Sequence, residues 1–302
     1  MNQITDHPLY KLHSIDTAMN SIWDFYRKRF VPLFLMGLIM SLIIHFISSS
    51  INLTELQSMT DINEMMNSMK DYLWPMLAVS LVSLLFTAIM QYYVIYNPLD
   101  SDKNALSCAI NSLRYYFPYL IIMVFLAIAG SFALFLGLIV LVIGAAFAAI
   151  WIMMLYLFIL PVMMVEGPDI GNTISRTISL SHRNFWSNLG WTAVFLILLL
   201  VITFIISGLI VLPFSGGIFR TLTNPEEATA VSDLASKPLY IALSALMNAL
   251  TMPLLPIFAA VLYFNSRARE QKLTDWEPSG NEDQKVKVED LYAKPLPDED
   301  SK

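Results

Sequence analysis

A chain of 302 residues with 56% hydrophobic side chains, only 14% charged ones and a mean hydropathy of +0.60 excludes an ordinary soluble enzyme, because globular chains carry about 25% charged residues. A net charge of −6 and a pI near 5.2 provide no basic face for nucleic acid. The single cysteine, Cys108, has no partner for an internal disulfide and leaves no thiolate cluster, so neither metal nor cofactor is expected.

Residues 1–30 contain no long apolar run. No cleavable signal peptide is therefore expected, and the first span must itself direct insertion. Residues 15–30 set Ala18, Ile22, Tyr26 and Phe30 at four-residue steps on one helical face, with Arg27, Lys28 and Arg29 between the two aromatics. A first span at 31–50 carries His45. Beyond it Ile62, Met66, Met69 and Leu73 recur at helical spacing, which reads as an amphipathic helix on the outer leaflet. A soft copper(I) site of Met59, Met65, Met66, Met69 and Met76 is the alternative, set aside for the ordinary packing role of methionine.

After a span at 73–96, a second polar helical segment, 100–117, repeats the four-residue step with Ala105, Ala109, Leu113 and Phe117. Residues 118–165 then contain no Asp, Glu, Lys, Arg or His. At ~20 residues per crossing that is two spans, 118–138 and 140–165, with a tight turn near Gly137. Glu166 and Asp169 flank Gly167-Pro168, a capping turn before a third segment. This segment, 170–187, carries Thr173, Thr177, Ser181 and Phe185 at the same step, and Arg27, Arg114 and His182 each stand three residues before the Phe of their segment. Spans at 189–212 and 239–264 complete the set, with Asn224-Pro-Glu-Glu227 between them reading as a helix start. The last span carries Asn248, Pro253 and Pro256. From 273 to 302 charges of both signs, with Pro and Gly and no apolar period, predict a disordered tail open to a protein partner.

With the N-terminus inside, only Lys70, Arg220 and Lys237 of the 18 lysines and arginines fall outside. The positive-inside rule then puts both termini in the cytoplasm. The expected fold is all-α: a polytopic membrane protein over residues 1–272. Its six transmembrane helices form three repeats of an interfacial amphipathic helix (about 15–30, 100–117 and 170–187) plus a helical hairpin.

The third unit closes a span with Glu166 and continues through Thr173, Thr177 and Leu180 to Asn184-Phe-Trp186. This resembles six-helix bacterial membrane proteins related to the membrane domain of glycerophosphoryl diester phosphodiesterases, in which an Ala-x-x-x-Ser-x-x-Leu helix ends in Asn-Phe-Trp. Thr173 and Thr177 replace the Ala and Ser. The opening Phe25-Tyr-Arg-Lys-Arg-Phe-Val-Pro-Leu33 and the closing Leu262-Tyr-Phe-Asn-Ser-Arg-Ala-Arg-Glu270 look like the same family, so the likeness covers residues 15–272. A Pro-Gly common around the family's third hairpin is absent. The resemblance brings no phosphodiesterase catalytic domain with it; it implies the fold, a bacterial cytoplasmic (inner) membrane and a lipid setting.

No Asp, Glu, Lys or Arg stands in the middle of any span, which argues against a proton relay or the common ion-coupled carriers. Zincin, nucleophile-elbow and phosphate-loop motifs are missing, so no enzyme is expected. The preferred reading is a lipid-associated scaffold or accessory protein whose Arg27, Lys28, Arg29, Arg114, Arg176 and Arg183 meet lipid phosphates. Simple anchoring of span ends by the same segments is the plainer alternative. A transporter with a cavity at the Pro253–Pro256 kink is the second functional reading. His45 and Asn248 lie at similar depth as intramembrane polar groups able to pair, and an intramembrane enzyme using His45 is the third reading.

Overall fold

The computed structural model describes residues 4–48, 62–100, 103–212 and 237–276. Among them run nine helices: α1 (Ile15–Lys28), α2 (Phe30–Ser48), α3 (Ile62–Tyr96), α4 (Ala105–Ile139), α5 (Leu141–Glu166), α6 (Ile170–Arg183), α7 (Phe185–Val211), α8 (Pro238–Thr251) and α9 (Leu254–Trp276). Six stretches are long and apolar enough to cross a membrane: Phe30–Ser48, Tyr72–Tyr96, Ala105–Ile139, Val142–Glu166, Phe185–Ile210 and Pro238–Lys272. The chain is an all-helical, multi-pass membrane protein. Met59, the Asn224-Pro-Glu-Glu227 turn and the tail beyond Trp276 lie outside the described residues, as do the side chains of Met65, Met66 and Met69.

A helix apolar around its whole circumference belongs in the centre of a bundle, and α9 occupies that place. Residues 256–266 are buried without interruption. Phe258 stacks on Phe195 of α7 with ring centroids 3.9 Å apart. Residues 157–164 of α5 and Tyr92–Ile95 of α3 close around the same helix. This dense core lies toward the end where the N-terminal residues meet α9, called here the basal end. Farther out, Phe46, Val142, Ile143 and Phe204 are at least 77% exposed, the surface that a span presents to hydrocarbon.

Between α4 and α5 the chain reverses at Val140, whose N–H donates to the Gly137 carbonyl at 3.0 Å. The turn falls where the sequence placed it, and the glycine explains why. A Cβ on Gly137 would stand 2.7 Å from the carbonyl oxygen of Gly144, so only hydrogen at these two positions lets the helices meet.

The expected threefold repeat is not reproduced in full. The first segment separates from its span at Arg29 (φ −121°, ψ 25°), the third at Asn184 (φ −125°, ψ 52°). The second stays fused, because α4 is one 35-residue helix of about 52 Å, longer than a ~30 Å hydrocarbon core. The causes are local. Pro32 offers no N–H to the Lys28 carbonyl, although α4 runs unbroken through Pro118, so proline alone does not make a break; at the third break Asn188 Nδ2 donates to the carbonyls of Leu180 and Ser181 at 3.3 and 3.0 Å. Three residues after Phe117, where Asn188 would correspond, stands Leu120, which has nothing to cap with.

α1 packs against the last span and is tied to it near both of its ends. Just before it His13 N–H donates to Asn265 Oδ1 (2.9 Å), and near its end the Tyr26 hydroxyl donates to the Leu250 carbonyl (2.9 Å). The buried stripe of α1 between these anchors is Ala18, Ile22 and Phe25. The last span itself is interrupted at Met252–Pro253, as proline demands; Pro253 has no N–H to offer the Ala249 carbonyl. There α2 comes very close, for a Cβ on Gly37 would be 3.0 Å from Ala249 Cα.

Candidate functional site at the basal end

Residues 4–13 form a strap across the basal end. Leu9 N–H donates to His7 Nδ1 at 3.1 Å, so the proton sits on Nε2, which meets the Val94 carbonyl at 3.1 Å. Burial holds this imidazole neutral and pushes its pKa down to about 4. The ring packs 4.6 Å from that of Phe264. Tyr10 donates to Gln271 at 2.9 Å, so the strap is tied to α3 and α9 together.

Beside the strap, charged side chains converge from three helices. Glu166 ends α5, Arg176 and Arg183 project from α6, and Arg267 and Glu270 lie one turn apart on α9. Arg176 Nε donates to Glu166 Oε2 at 2.9 Å, and its two terminal nitrogens take both oxygens of Glu270. Arg183 Nη1 and Arg267 Nη1 reach Glu270 at 2.9 and 2.8 Å. Tyr263 donates to Glu166 Oε1 at 3.1 Å. Glu270 is 17% exposed, so its charge is held largely out of water by three guanidinium groups. The hydrogen bonds to Glu270 raise the pKa of Arg176 above its ordinary value. Asp169 does cap α6, accepting from Asn172 N–H at 2.6 Å, and Gly167 makes the turn with φ +117°. Glu166, by contrast, belongs to the ion cluster rather than to a capping turn.

The six basic residues singled out in the sequence divide into two groups. Arg176 and Arg183 are inside the cluster. Arg27, Lys28 and Arg114 are exposed and have no ion pair among the described residues; the Arg114 guanidinium lies 4.7 Å from the Tyr115 ring centre. Arg29 is half-buried, with Nε on Asn97 Oδ1 at 3.0 Å and its plane 4.5 Å over Phe25. Around them the exposed apolar side chains include Trp23, Phe30, Phe117 and Trp186.

In the spans, Asn248 donates to Ser41 Oγ at 3.3 Å, one turn before His45. His45 Nε2 is buried without a partner among the described residues. Beside Pro256 a cavity of about 240 Å³ is lined by Thr87, Thr203, Thr251, Met40 and Leu199 among others; Pro253 is buried next to it. Glu166, Tyr263, Arg267 and Glu270 were not among the sequence candidates. Their sequence signals are Glu166 at the end of a charge-free stretch, an Arg267–Glu270 pair at i,i+3 and their places in the motifs that carry the resemblance; nothing in spacing joins them to Arg176. No family model, curated protein or solved structure matches the chain.

Proposed function

We propose that this is a non-enzymatic, lipid-associated scaffold or accessory protein of the bacterial cytoplasmic membrane, of the six-helix type that its third unit resembles, with both termini cytoplasmic. One observation carries the reading. Around the basal end exposed Trp23, Phe30, Phe117 and Trp186 alternate with Arg27, Lys28 and Arg114, which no carboxylate neutralises among the described residues. Aromatic rings favour the headgroup level, and arginine or lysine beside them reaches anionic phosphates. Arg176 and Arg183 have a different part, holding α6 to α9.

Native mass spectrometry of protein extracted in mild detergent, with identification of retained lipid, tests this. Neutralising Arg27, Lys28 and Arg114 to Gln is expected to strip anionic phospholipid while leaving the fold intact. Unchanged lipid retention would sink the reading.

The cavity at Pro256 favours a second reading, a permease for a small or lipidic substrate. It requires transport in proteoliposomes that Pro253→Ala and Pro256→Ala alter.

A further inference from the structure

The basal end is neutralised on one side only. Where α5, α6 and α9 meet, each of three arginines has a carboxylate partner. On the other side, the strap and the outward face of α1 enclose a pocket of about 470 Å³ lined by Lys11, Ser21, Asp24, Phe25, Lys28 and Arg29, with Pro8 and Leu9 as its floor. Three cations face one carboxylate there, and none of the three is in an ion pair among the described residues.

Arg29 makes this more than a patch of surface lysines. Its Nε is spent on Asn97 Oδ1, while Asn97 Nδ2 is itself fixed on the Lys103 carbonyl at 2.9 Å. Its Cζ lies 4.5 Å from the centre of the Phe25 ring. With Nε engaged, the two terminal amino groups remain, the fork that suits a phosphate. Burial disfavours its charge, and no counter-ion within the described chain relieves that. Ser21, Phe25 and Lys28 recur along one face of α1, so the helix brings a hydroxyl donor and a second cation to the same wall. The opposite wall, bearing Lys11, is fixed by the His7, Tyr10 and His13 contacts.

We propose that this pocket binds a phosphate monoester, with Arg29 as the orienting fork and Lys11 and Lys28 as flanking charges. Two net positive charges match a dianion, and the volume leaves room for the organic part of the ester. The same chemistry is presented by a phosphatidate headgroup and by a soluble phosphate ester. The inference deepens the lipid-associated reading and rests on it for placing this end of the bundle where phosphates are found.

The test uses the full chain in nanodiscs of neutral lipid. Binding of glycerol phosphate is measured by equilibrium dialysis, and enrichment of phosphatidate is measured when it is mixed into the disc. Lys11 and Lys28 are exposed, and their side chains make no ion pair among the described residues, so Lys11→Ala/Lys28→Ala is expected to keep the fold; Lys272→Ala is the charge control. We expect the double variant to lose about tenfold in affinity and the control to lose nothing. Loss seen with glycerol phosphate identifies a soluble ester as the source; loss seen only with phosphatidate identifies the headgroup. If neither probe separates the double variant from the control, the proposal is overturned. In that case continued loss of co-purified lipid on neutralising Arg27 and Arg114 leaves the broader reading standing, and its absence removes both.

Discussion

Arg176 on α6 grips both carboxylate oxygens of Glu270 on α9, 94 residues further along the chain, and its Nε turns back to Glu166 at the end of α5. One planar guanidinium thus joins three helices, which a lysine could not do because its ammonium lacks the fork. Glu270 in turn is shared by Arg183 and Arg267. Glu270→Gln removes the anion, leaving Arg176 and Arg267 to share Glu166 and Arg183 without its carboxylate. A fully buried pair broken this way costs about 3–5 kcal/mol; partial solvation here reduces the expectation to roughly 1–3 kcal/mol. Thermal unfolding in detergent should show a clear drop for Glu270→Gln and a smaller one for Arg183→Gln, whose side chain is 42% exposed. Equal stability of Glu270→Gln and wild type would mean that the cluster holds nothing together.

His7 gives the strap a pH dependence. The folded imidazole has a pKa of about 4 against 6.5 for the ordinary residue, so between those values the unfolded chain binds a proton that the folded chain does not. Stability is therefore full above pH about 6.5 and declines as pH falls toward 4, by at most about 3 kcal/mol from this group. His7→Gln keeps a donor for the Val94 carbonyl but does not titrate. Melting curves from neutral pH to about 4.5 should show the acid-side decline shallower in the variant than in wild type. Parallel curves would contradict the assignment.

At the α4–α5 turn, Gly137→Val drives a side chain into the backbone of Gly144. Overpacking against backbone costs about 1–3 kcal/mol or more, and the hairpin must splay. Gly208→Ala is the control, since among the described residues outside its own helical turn nothing lies within 4 Å of the added Cβ. Cross-linking of cysteines placed on facing positions of the two helices should fail for Gly137→Val and persist for Gly208→Ala.

Asn188→Leu keeps the approximate volume but leaves the Leu180 and Ser181 carbonyls without their donor and removes the acceptor facing Ser266 at 3.4 Å. An unmade buried hydrogen bond costs about 1–3 kcal/mol. Hydrogen exchange should report faster opening at the end of α6 and the start of α7. Protection unchanged there would show that the break at Asn184 is held by packing instead.

The spans were legible because a bilayer demands uninterrupted apolar length, and the charge-free stretch at 118–165 satisfies that twice; even its turn showed at Gly137. Harder to read was which way each helix faces. Asn248 and His45 share a depth, yet the partner of Asn248 is Ser41, one turn away on α2, and hydropathy is silent on rotation about a helix axis. Arg176 shows the same limit in charge. Beside a predicted headgroup region an arginine reads as a phosphate ligand, and only the folded chain reveals Glu270 beneath it. The second amphipathic segment carries the same periodicity as its two counterparts and even a proline, Pro118, yet α4 runs through it; Leu120 stands where the third unit has the capping amide of Asn188.

The central place of α9 also orders the assembly of the molecule in time. A ribosome makes this helix after all the other described ones, yet they lean on it, so the slot that it fills must be occupied by lipid or left collapsed until α9 emerges. The strap, made before all the described helices, waits longest: Phe264, Asn265 and Gln271, which receive His7, His13 and Tyr10, emerge only with α9. A chain whose α9 has yet to emerge is thereby distinguished from one whose α9 is in place by a loose strap, a difference open to any protease or chaperone on that side of the membrane.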